Sequence, residues 1–360
     1  MRQHPRTRLP RRAVALAACA VTVAVTAAGQ AGAAPGGPGH RTGLCGPGRA
    51  DTTYTDRLCA AEGDLLDVRI GDVRATQPSV GYDEVYYKLG RYTLGKDADA
   101  VNKKFDDWCE ANGQLEAASA APGARLDDPA SFTCELPVGS ETGESVAAMK
   151  TVVVGPGGSL YLTDGHHTLT SFFETPDGGP ELHVRLRVVA NYATLTQQEF
   201  FKRMEANRWV WPRDPEGIPV PVTDLPKSLG LARFQDDRYR SLLYFARDIG
   251  YTPGTRPFQE FFWGTWVRES RAADLADWDP KSLPSYLDTV EKISRAQSAL
   301  PANSTVADGL TAGELGALAE WNAGKAADKG EFAKLSVPYA EAKPGKLAYA
   351  LRYKDAHGIG

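Results

Sequence analysis

The stretch YLTDGHHTLT, residues 161–170, decides both the fold and the function predicted for this chain. A β-branched run at 151–154 and a Gly-Pro-Gly-Gly turn at 155–158 precede it, so two short strands should flank that turn. After the two adjacent histidines, apolar residues recur at helical spacing, at Leu169, Phe172 and Phe173. This spacing predicts a helix that begins at His166 and His167.

The first turn of such a helix is suited to binding an anion. A helix start leaves backbone N–H groups unpaired and carries the positive end of the macrodipole, and both features favour phosphate. Gly165 lets the backbone approach an anion closely, and Asp164 can cap the helix or hold a metal. A plain surface turn is the alternative. It is weakened because His166, His167 and His183 are three of the five histidines after residue 33.

The N-terminal residues predict an export signal. Five arginines in residues 2–12 form a positive region, an apolar run follows from Ala13 to Ala28, and an A-x-A cleavage site ends at Ala33. We predict a signal peptide over residues 1–33 and secretion after cleavage near Ala33. Arg11 and Arg12 leave both the general secretory and the twin-arginine routes open. No later segment resembles a membrane span.

Charge and cysteine content agree with a secreted globular protein. Removing the signal leaves 36 basic and 45 acidic residues, a formal charge of −9. This balance disfavours tight non-specific binding to nucleic acid but allows a local basic cleft.

Four cysteines follow the signal, an even number that suits an oxidising compartment. Three pairings are open, and we favour Cys45–Cys59 and Cys109–Cys134 because they close the shortest loops. None lies in C-x-x-C spacing, so a metal site is less favoured.

The order of elements predicts an α+β protein. A disordered lead-in is expected over 34–50, a strand-and-helix domain over 51–195 and a helical C-terminal domain over 196–360. Expected strands are 65–70, 150–154, 159–163 and 182–190. Expected helices are 83–92, 98–112, 166–174, 197–207, 238–249, 258–268, 283–298 and 311–321. Residues 117–144 are expected to be loop-like.

The chain resembles the ParB/sulfiredoxin superfamily, and most closely its ParB-like nuclease group. The resemblance covers roughly residues 64–270 and rests on four segments: LLDVRIGDVRATQPSVGYDEVYYK (65–88), DGHHT (164–168), DDRYRSL (236–242) and QEFFWG (259–264). It implies a ParB/sulfiredoxin-like N-terminal domain with a small mixed sheet, followed by a mainly helical region.

In that superfamily the strand–turn–helix corresponding to residues 160–174 binds the phosphates of a nucleotide. The resemblance therefore implies that residues 164–168 hold phosphate or metal. It also aligns Glu84 with the acidic catalytic residue of a free serine kinase in the superfamily. Thr168 departs from that kinase, which has arginine there, so a bidentate phosphate donor is missing. The sulfiredoxin cysteine is also absent from the motif.

The predicted chemistry is cleavage of a phosphoester. Outside the cell a kinase would lack its nucleotide donor, whereas hydrolysis needs only water and a divalent cation. His166 or His167 can act as general acid or base, together with Glu84. Asp164 and Glu84 are the expected ligands of Mg or Mn, which would offset phosphate charge together with the helix start.

The expected phosphate-binding residues are Gly165, His166, Thr168 and Lys88. Lys88 lies one turn after Glu84, so a pairing of these two side chains is an equal alternative. A buried pair of Arg240 and Glu260 that locks two helices is favoured over a catalytic role for either residue. Asp83 is expected at a helix start, without a ligand role.

Three functions follow as hypotheses. The first is a secreted, metal-assisted phosphoesterase or nuclease that acts on a phosphate-containing small molecule or on nucleic acid. The second is a nucleotide-dependent phosphotransferase. The third is a non-catalytic protein that binds an anion or nucleotide. The sequence makes no prediction of oligomeric state.

Overall fold

A mixed β-sheet carries the site region of the protein. The computed structural model describes residues 57–95, 101–254 and 256–360, so the predicted signal peptide, the lead-in and Cys45 lie outside the described residues. The strands are β1 (Leu65–Arg69), β2 (Val73–Arg74), β3 (Ser79–Val80), β4 (Ala117–Ala120), β5 (Phe132–Cys134), β6 (Thr151–Val154), β7 (Leu160–Leu162), β8 (His183–Asn191), β9 (Gln235–Asp236), β10 (Thr305–Ala307) and β11 (Leu310–Thr311).

Helices cover this sheet and form most of the second half of the chain. They are α1 (Tyr82–Thr93), α2 (Lys103–Ala111), α3 (Gly143–Ala148), α4 (His166–Glu174), α5 (Gln197–Ala206), α6 (Arg238–Phe245), α7 (Gln259–Ser270), α8 (Leu283–Ser298), α9 (Gly330–Lys334) and α10 (Lys346–His357). The predicted α+β class is confirmed. No helix in the described part of the chain combines the length and the apolar character that crossing a membrane requires.

The main sheet has the order β1-β8-β6-β7-β2. β1 pairs antiparallel with β8, β8 parallel with β6, β6 antiparallel with β7, and β7 parallel with β2. Val152 to Val154 and all of β7 are buried, as expected for central strands covered on both faces. β8 instead alternates between buried and partly exposed residues. The chain passes from β7 almost directly into α4, which places the start of that helix at the carboxyl end of β7.

A separate two-stranded parallel pairing of β3 with β9 joins distant parts of the sequence. Ser79 pairs with Gln235, and Val80 with Asp236. This pairing brings the start of α1 against the start of α6. It therefore brings residues near 80 and residues near 240 next to each other.

The C-terminal helices have their own core around Trp263 and Tyr286, and α10 packs on α1. Lys354 Nζ lies 2.7 Å from Asp83 Oδ1, and the Tyr286 hydroxyl donates to Asp83 Oδ2 at 2.9 Å. Asp83 is thus a buried anchor at a helix start. The described residues fall within one compact unit, and the domain boundary at residue 195 stays a prediction.

The loop predicted over residues 117–144 is partly wrong. β4 and β5 pair antiparallel there, and α3 begins at Gly143. The predicted disulfide Cys109–Cys134 is confirmed, with 5.6 Å between the Cα atoms, and it ties β5 to α2. Phe132 packs on Phe105 with 4.6 Å between ring centroids, so tertiary contacts stabilise strands too short to show periodicity. Cys59 is also disulfide-bonded.

The helix predicted over 311–321 is wrong as well. The hairpin of β10 and β11 precedes this stretch and overlaps it only at Thr311. Its turn residues Asp308 and Gly309 have φ of 47° and 75°, as a tight hairpin turn requires. Residues 312–320 form turns and bends instead of a helix, and Ala317 makes an isolated antiparallel bridge with Tyr251.

Candidate active site

The start of α4 is built as the sequence predicted, with the helix beginning at His166. Gly165 is the N-cap, with φ 100° and ψ 13°, a left-handed conformation that favours glycine. No side chain caps this helix, so Asp164 is not a cap. Asp164 is largely exposed, and its Oδ2 lies 3.6 Å from Lys150 Nζ.

The first turn of α4 leaves backbone donors open. The first bond to its N-cap runs from the Leu169 N–H to the Gly165 carbonyl. The N–H groups of His166, His167 and Thr168 have no partner among the described residues. The open donors that the sequence predicted at this helix start are therefore present, and a helix start of this kind favours an anion.

A cavity of about 610 Å³ lies against this helix start. Its wall includes every predicted site residue outside the cysteines. Positive side chains outnumber negative ones in the lining: Lys88, Lys150, Arg240, Arg247 and Arg256 against Glu84, Asp164 and Glu260. The cavity therefore favours an anionic ligand, although the chain as a whole is acidic.

Both predicted histidines are buried and bonded to the loop that leads into α1. His166 Nε2 accepts the Thr76 N–H at 3.1 Å, and His167 Nε2 accepts the Gly81 N–H at 3.0 Å. The Thr76 hydroxyl donates to the Leu162 carbonyl at 2.6 Å, so its hydrogen does not compete for the His166 ring. These bonds assign the ring proton of each neutral histidine to Nδ1.

Burial keeps both rings neutral. It lowers the pKa of His166 to about 4 and that of His167 to about 3, even though Asp164 and Glu84 respectively raise them. No hydrogen bond to either Nδ1 exists in the described part of the chain, and both residues line the cavity. The rings therefore offer neutral N–H donors. This arrangement favours contact with an anion over proton abstraction or metal ligation, which would each require a lone pair at Nδ1.

Glu84 lies on the first turn of α1 and faces Arg240 of α6. Its Oε2 is 2.9 Å from Arg240 Nη2 and 3.7 Å from His167 Nε2. Burial opposes ionisation of Glu84, but His167, Arg240, Arg247 and Lys88 outweigh it and hold the pKa of this carboxyl well below its usual range. Glu84 is thus ionised at neutral pH.

Arg240 is the centre of a buried ionic network. The predicted partner, Glu260, lies 4.0 Å from Arg240 Nη2, farther than Glu84. Glu260 bonds instead to Arg247 Nε at 2.7 Å. The predicted lock between α6 and α7 is therefore present, but it also reaches α1 through Glu84.

Two atoms of this network lack hydrogen bonds. Arg240 Nη1 and Glu84 Oε2 are buried and have no hydrogen-bond partner among the described residues. Buried polar atoms are paired in the great majority of folded proteins, and exceptions often mark a ligand or catalytic site. Arg240 and Glu84 are both among the residues that line the cavity, as are residues 165–168 at the start of α4.

Lys88 does not pair with Glu84. Its Nζ lies 3.0 Å from Asp107 Oδ2, which also accepts the Tyr92 hydroxyl at 2.6 Å. Lys88 still lines the cavity and adds positive charge to it, as do the predicted Gly165 and Thr168 at its floor.

The carboxylate and histidine side chains near the cavity do not form a preorganised cation site. Within the described residues no cluster of three or more His, Cys, Asp or Glu side chains could hold a metal. Glu84 is neutralised by Arg240, and Asp164 faces Lys150. The expectation of Mg or Mn stays a prediction.

Sequence reasoning missed several other residues that line the cavity. They include Trp209, Phe258, Arg256 and Lys150. Trp209 follows α5, and Phe258 directly precedes α7. Their only sequence signal is an aromatic residue next to a helix end, which is common in packed cores.

Comparison with known proteins gives a family and a distant structural likeness. A family model described as "Putative ParB-like nuclease" matches residues 66–269, a span that contains both Glu84 and Glu260. The crystal structure of protein Atu1540 from Agrobacterium tumefaciens is 22% identical over 66% of this chain and 93% of that chain, with a TM-score of 0.43. At that score it adds nothing to the functional assignment. Comparison with curated proteins gave no significant match.

Proposed function

Because the chain belongs to the putative ParB-like nuclease family, we propose that it hydrolyses a phosphoester bound at the start of α4. The observation that carries this proposal is that Arg240 lines a cationic cavity while its buried Nη1 has no hydrogen-bond partner in the described structure. A phosphate oxygen is the acceptor that would satisfy it. The proposed setting is extracellular, following the predicted export signal.

The proposed phosphate site combines three kinds of donor. The open N–H groups of residues 166–168 and the Nδ1–H groups of the two histidines bind phosphate oxygens as neutral donors. Arg240 adds a charge-assisted bond, which is roughly twice as strong as a neutral one. Fixed donors of this kind stabilise the charge that develops on phosphorus oxygens during the reaction.

In the proposed reaction Glu84 positions the attacking water. Its Oε2 forms an ion pair with Arg240 at 2.9 Å but no hydrogen bond in the described part of the chain, so we propose that it accepts one from the attacking water. The low pKa makes Glu84 a weak base, which suits a positioning role. Phosphoryl transfer relies mainly on positioning and on electrostatic stabilisation. Water attacks phosphorus and loses a proton to solvent, the bond to the leaving oxygen breaks, and the leaving oxygen takes up a proton from solvent.

Arg240→Lys tests this proposal, with Arg238→Lys on the same helix as the matched control. Arg238 does not line the cavity and lies over Trp278. With a chromogenic phosphodiester as substrate, we expect Arg240→Lys to lower kcat roughly a hundredfold, because a fixed donor to the transition state is lost. Arg238→Lys should match the wild type. Wild-type protein that hydrolyses no phosphoester, or equal rates in all three proteins, would refute the proposal.

A further inference from the structure

Building on the proposed function, we infer that the cavity takes an unpaired nucleotide, so that the substrate is single-stranded nucleic acid or a frayed end rather than a duplex. The start of α4 and an aromatic wall that includes Trp209 and Phe258 line the same cavity. A ligand that fills both must carry a phosphate and a planar ring.

Trp209 is the main element of that wall. Its side chain is half-buried and lines the cavity, and its indole has no ring contact among the described residues. Trp211, two residues later, provides a contrast. It is buried, and its ring lies 5.2 Å from that of Phe261 and 5.1 Å from that of Phe262. Trp211 is thus part of the hydrophobic core, whereas the Trp209 indole lines the cavity and stacks on no other ring in the described part of the chain.

Phe258 lies on the same wall in a strained backbone conformation. Its φ is 57°, in the left-handed region, immediately before α7 begins. Arg208, directly before Trp209, also has a left-handed φ, of 54°. Non-glycine residues rarely adopt this conformation, and such strain clusters at ligand-binding sites. A left-handed backbone conformation therefore occurs at, or directly before, two of the four Trp, Tyr and Phe residues that line the cavity.

Charge and size argue against a duplex. The chain carries a formal charge of −4 at full length, so a long duplex with its continuous phosphate charge finds little general attraction. The volume of about 610 Å³ is that of a small-molecule site. Bases that enter such sites must leave the helical stack, and stacking on aromatic side chains accepts any base.

The test compares three substrates in the full-length secreted protein. They are a short single-stranded oligonucleotide, the same sequence as a duplex, and the same strand with abasic residues that keep the phosphodiesters. We expect the single strand to be cleaved at least tenfold faster than the duplex at low concentration. The base-containing strand should have a KM about tenfold lower than the abasic strand, because only the former can stack.

The variants Trp209→Ala and Trp209→Phe test whether the aromatic wall causes the preference for the base-containing strand. Trp209→Ala should raise KM for the base-containing strand to that of the abasic strand, with kcat changed less than twofold. Trp209→Phe should recover most of the difference. Thermal unfolding of both variants checks the fold, since Trp209 also packs on a small core near Phe200.

Two outcomes would overturn the inference while the proposed hydrolysis stands. The first is that the single strand and the duplex are cleaved at equal rates. The second is that the ratio of the KM for the base-containing strand to the KM for the abasic strand is the same in Trp209→Ala as in the wild type. If no phosphodiester is cleaved at all, the proposed hydrolysis fails. Fluorescence anisotropy with the same three ligands then still measures the base preference, and equal affinity for the base-containing and abasic strands would overturn it.

Discussion

His166 and His167 each hold a backbone N–H of the loop that leads into α1, so protonation of either ring opposes the native arrangement. Burial lowers their pKa to about 4 and about 3, below the ordinary value of 6.5. The unfolded chain therefore binds protons first as pH falls. Their contribution to stability is complete above pH 6.5 and is lost as pH falls from there toward 4 and 3.

We therefore predict that wild-type protein loses more stability between pH 7.5 and pH 5 than the variant His167→Gln, which shares its other titrating groups, including Asp236 and Asp237 with pKa values raised by burial to about 6. The loss is at most about 1.4 kcal/mol per histidine for each unit of pH in that window. His167→Gln keeps an acceptor for the Gly81 N–H but cannot be protonated, so its profile should be flatter. Urea denaturation at several pH values measures both slopes. Identical slopes in the two proteins would contradict the assignment of Nε2 as an acceptor.

The identity of the site residues was more predictable than their roles. His166, His167 and Glu84 were found from a motif and a family resemblance, and all three line one cavity. The role of Nε2 was not predictable, because its donors at Thr76 and Gly81 lie about 90 positions earlier in the chain. Trp209 had no specific signal, since only the folded chain places it in the same cavity as the start of α4.

At the scale of the elements, α10 is fastened to α1 by the buried pair of Lys354 and Asp83. Lys354→Met should destabilise the protein by about 3–5 kcal/mol, because it leaves the Asp83 carboxylate buried without its cation. The double variant Lys354→Met with Asp83→Asn should recover a large part of this loss, since no charge remains buried. Chemical denaturation measures both. A double variant as unstable as the single one would show that packing, and not charge, holds α10.

The contact between α1 and α6 depends on a glycine. A Cβ at Gly81 would lie 2.7 Å from the Ser241 nitrogen and 2.9 Å from the Arg240 carbonyl carbon. Gly81→Ala should therefore push α6 away and separate Arg240 from Glu84, with at least a tenfold loss of phosphodiester hydrolysis. Gly143→Ala is the control, because its Cβ would meet nothing within 4 Å. Equal activity in the two variants would show that the close approach is unimportant.

Element prediction succeeded where periodicity ran long enough. α8 was predicted with its observed bounds, and α4 begins where the motif indicated. The failures were pairs of strands with two to four residues each, at 117–134 and 305–311. Strands this short give no usable alternation, and they are stabilised by a disulfide or by a turn rather than by their own pattern.

At the scale of the whole molecule, the question of a divalent cation can be decided directly. The sequence predicts Mg or Mn at Asp164 and Glu84, but Arg240 already neutralises Glu84. We therefore expect hydrolysis to survive EDTA with less than a tenfold loss, and Asp164→Asn to retain activity. Complete loss of hydrolysis with EDTA, followed by recovery with Mg or Mn, would support the metal-assisted reaction instead. In that case Glu84 would have to bind the cation and give up its ion pair with Arg240.

The pairing of Glu84 with Arg240 joins positions 156 residues apart in the chain. A ribosome delivers the first long before the second, so the growing polypeptide carries the imidazoles and the carboxylate with no guanidinium opposite them. The proposed hydrolytic centre can assemble only when the later helices arrive. If the proposed function holds, the incomplete chain lacks the guanidinium that hydrolysis requires, and activity begins only after residue 240 has been made.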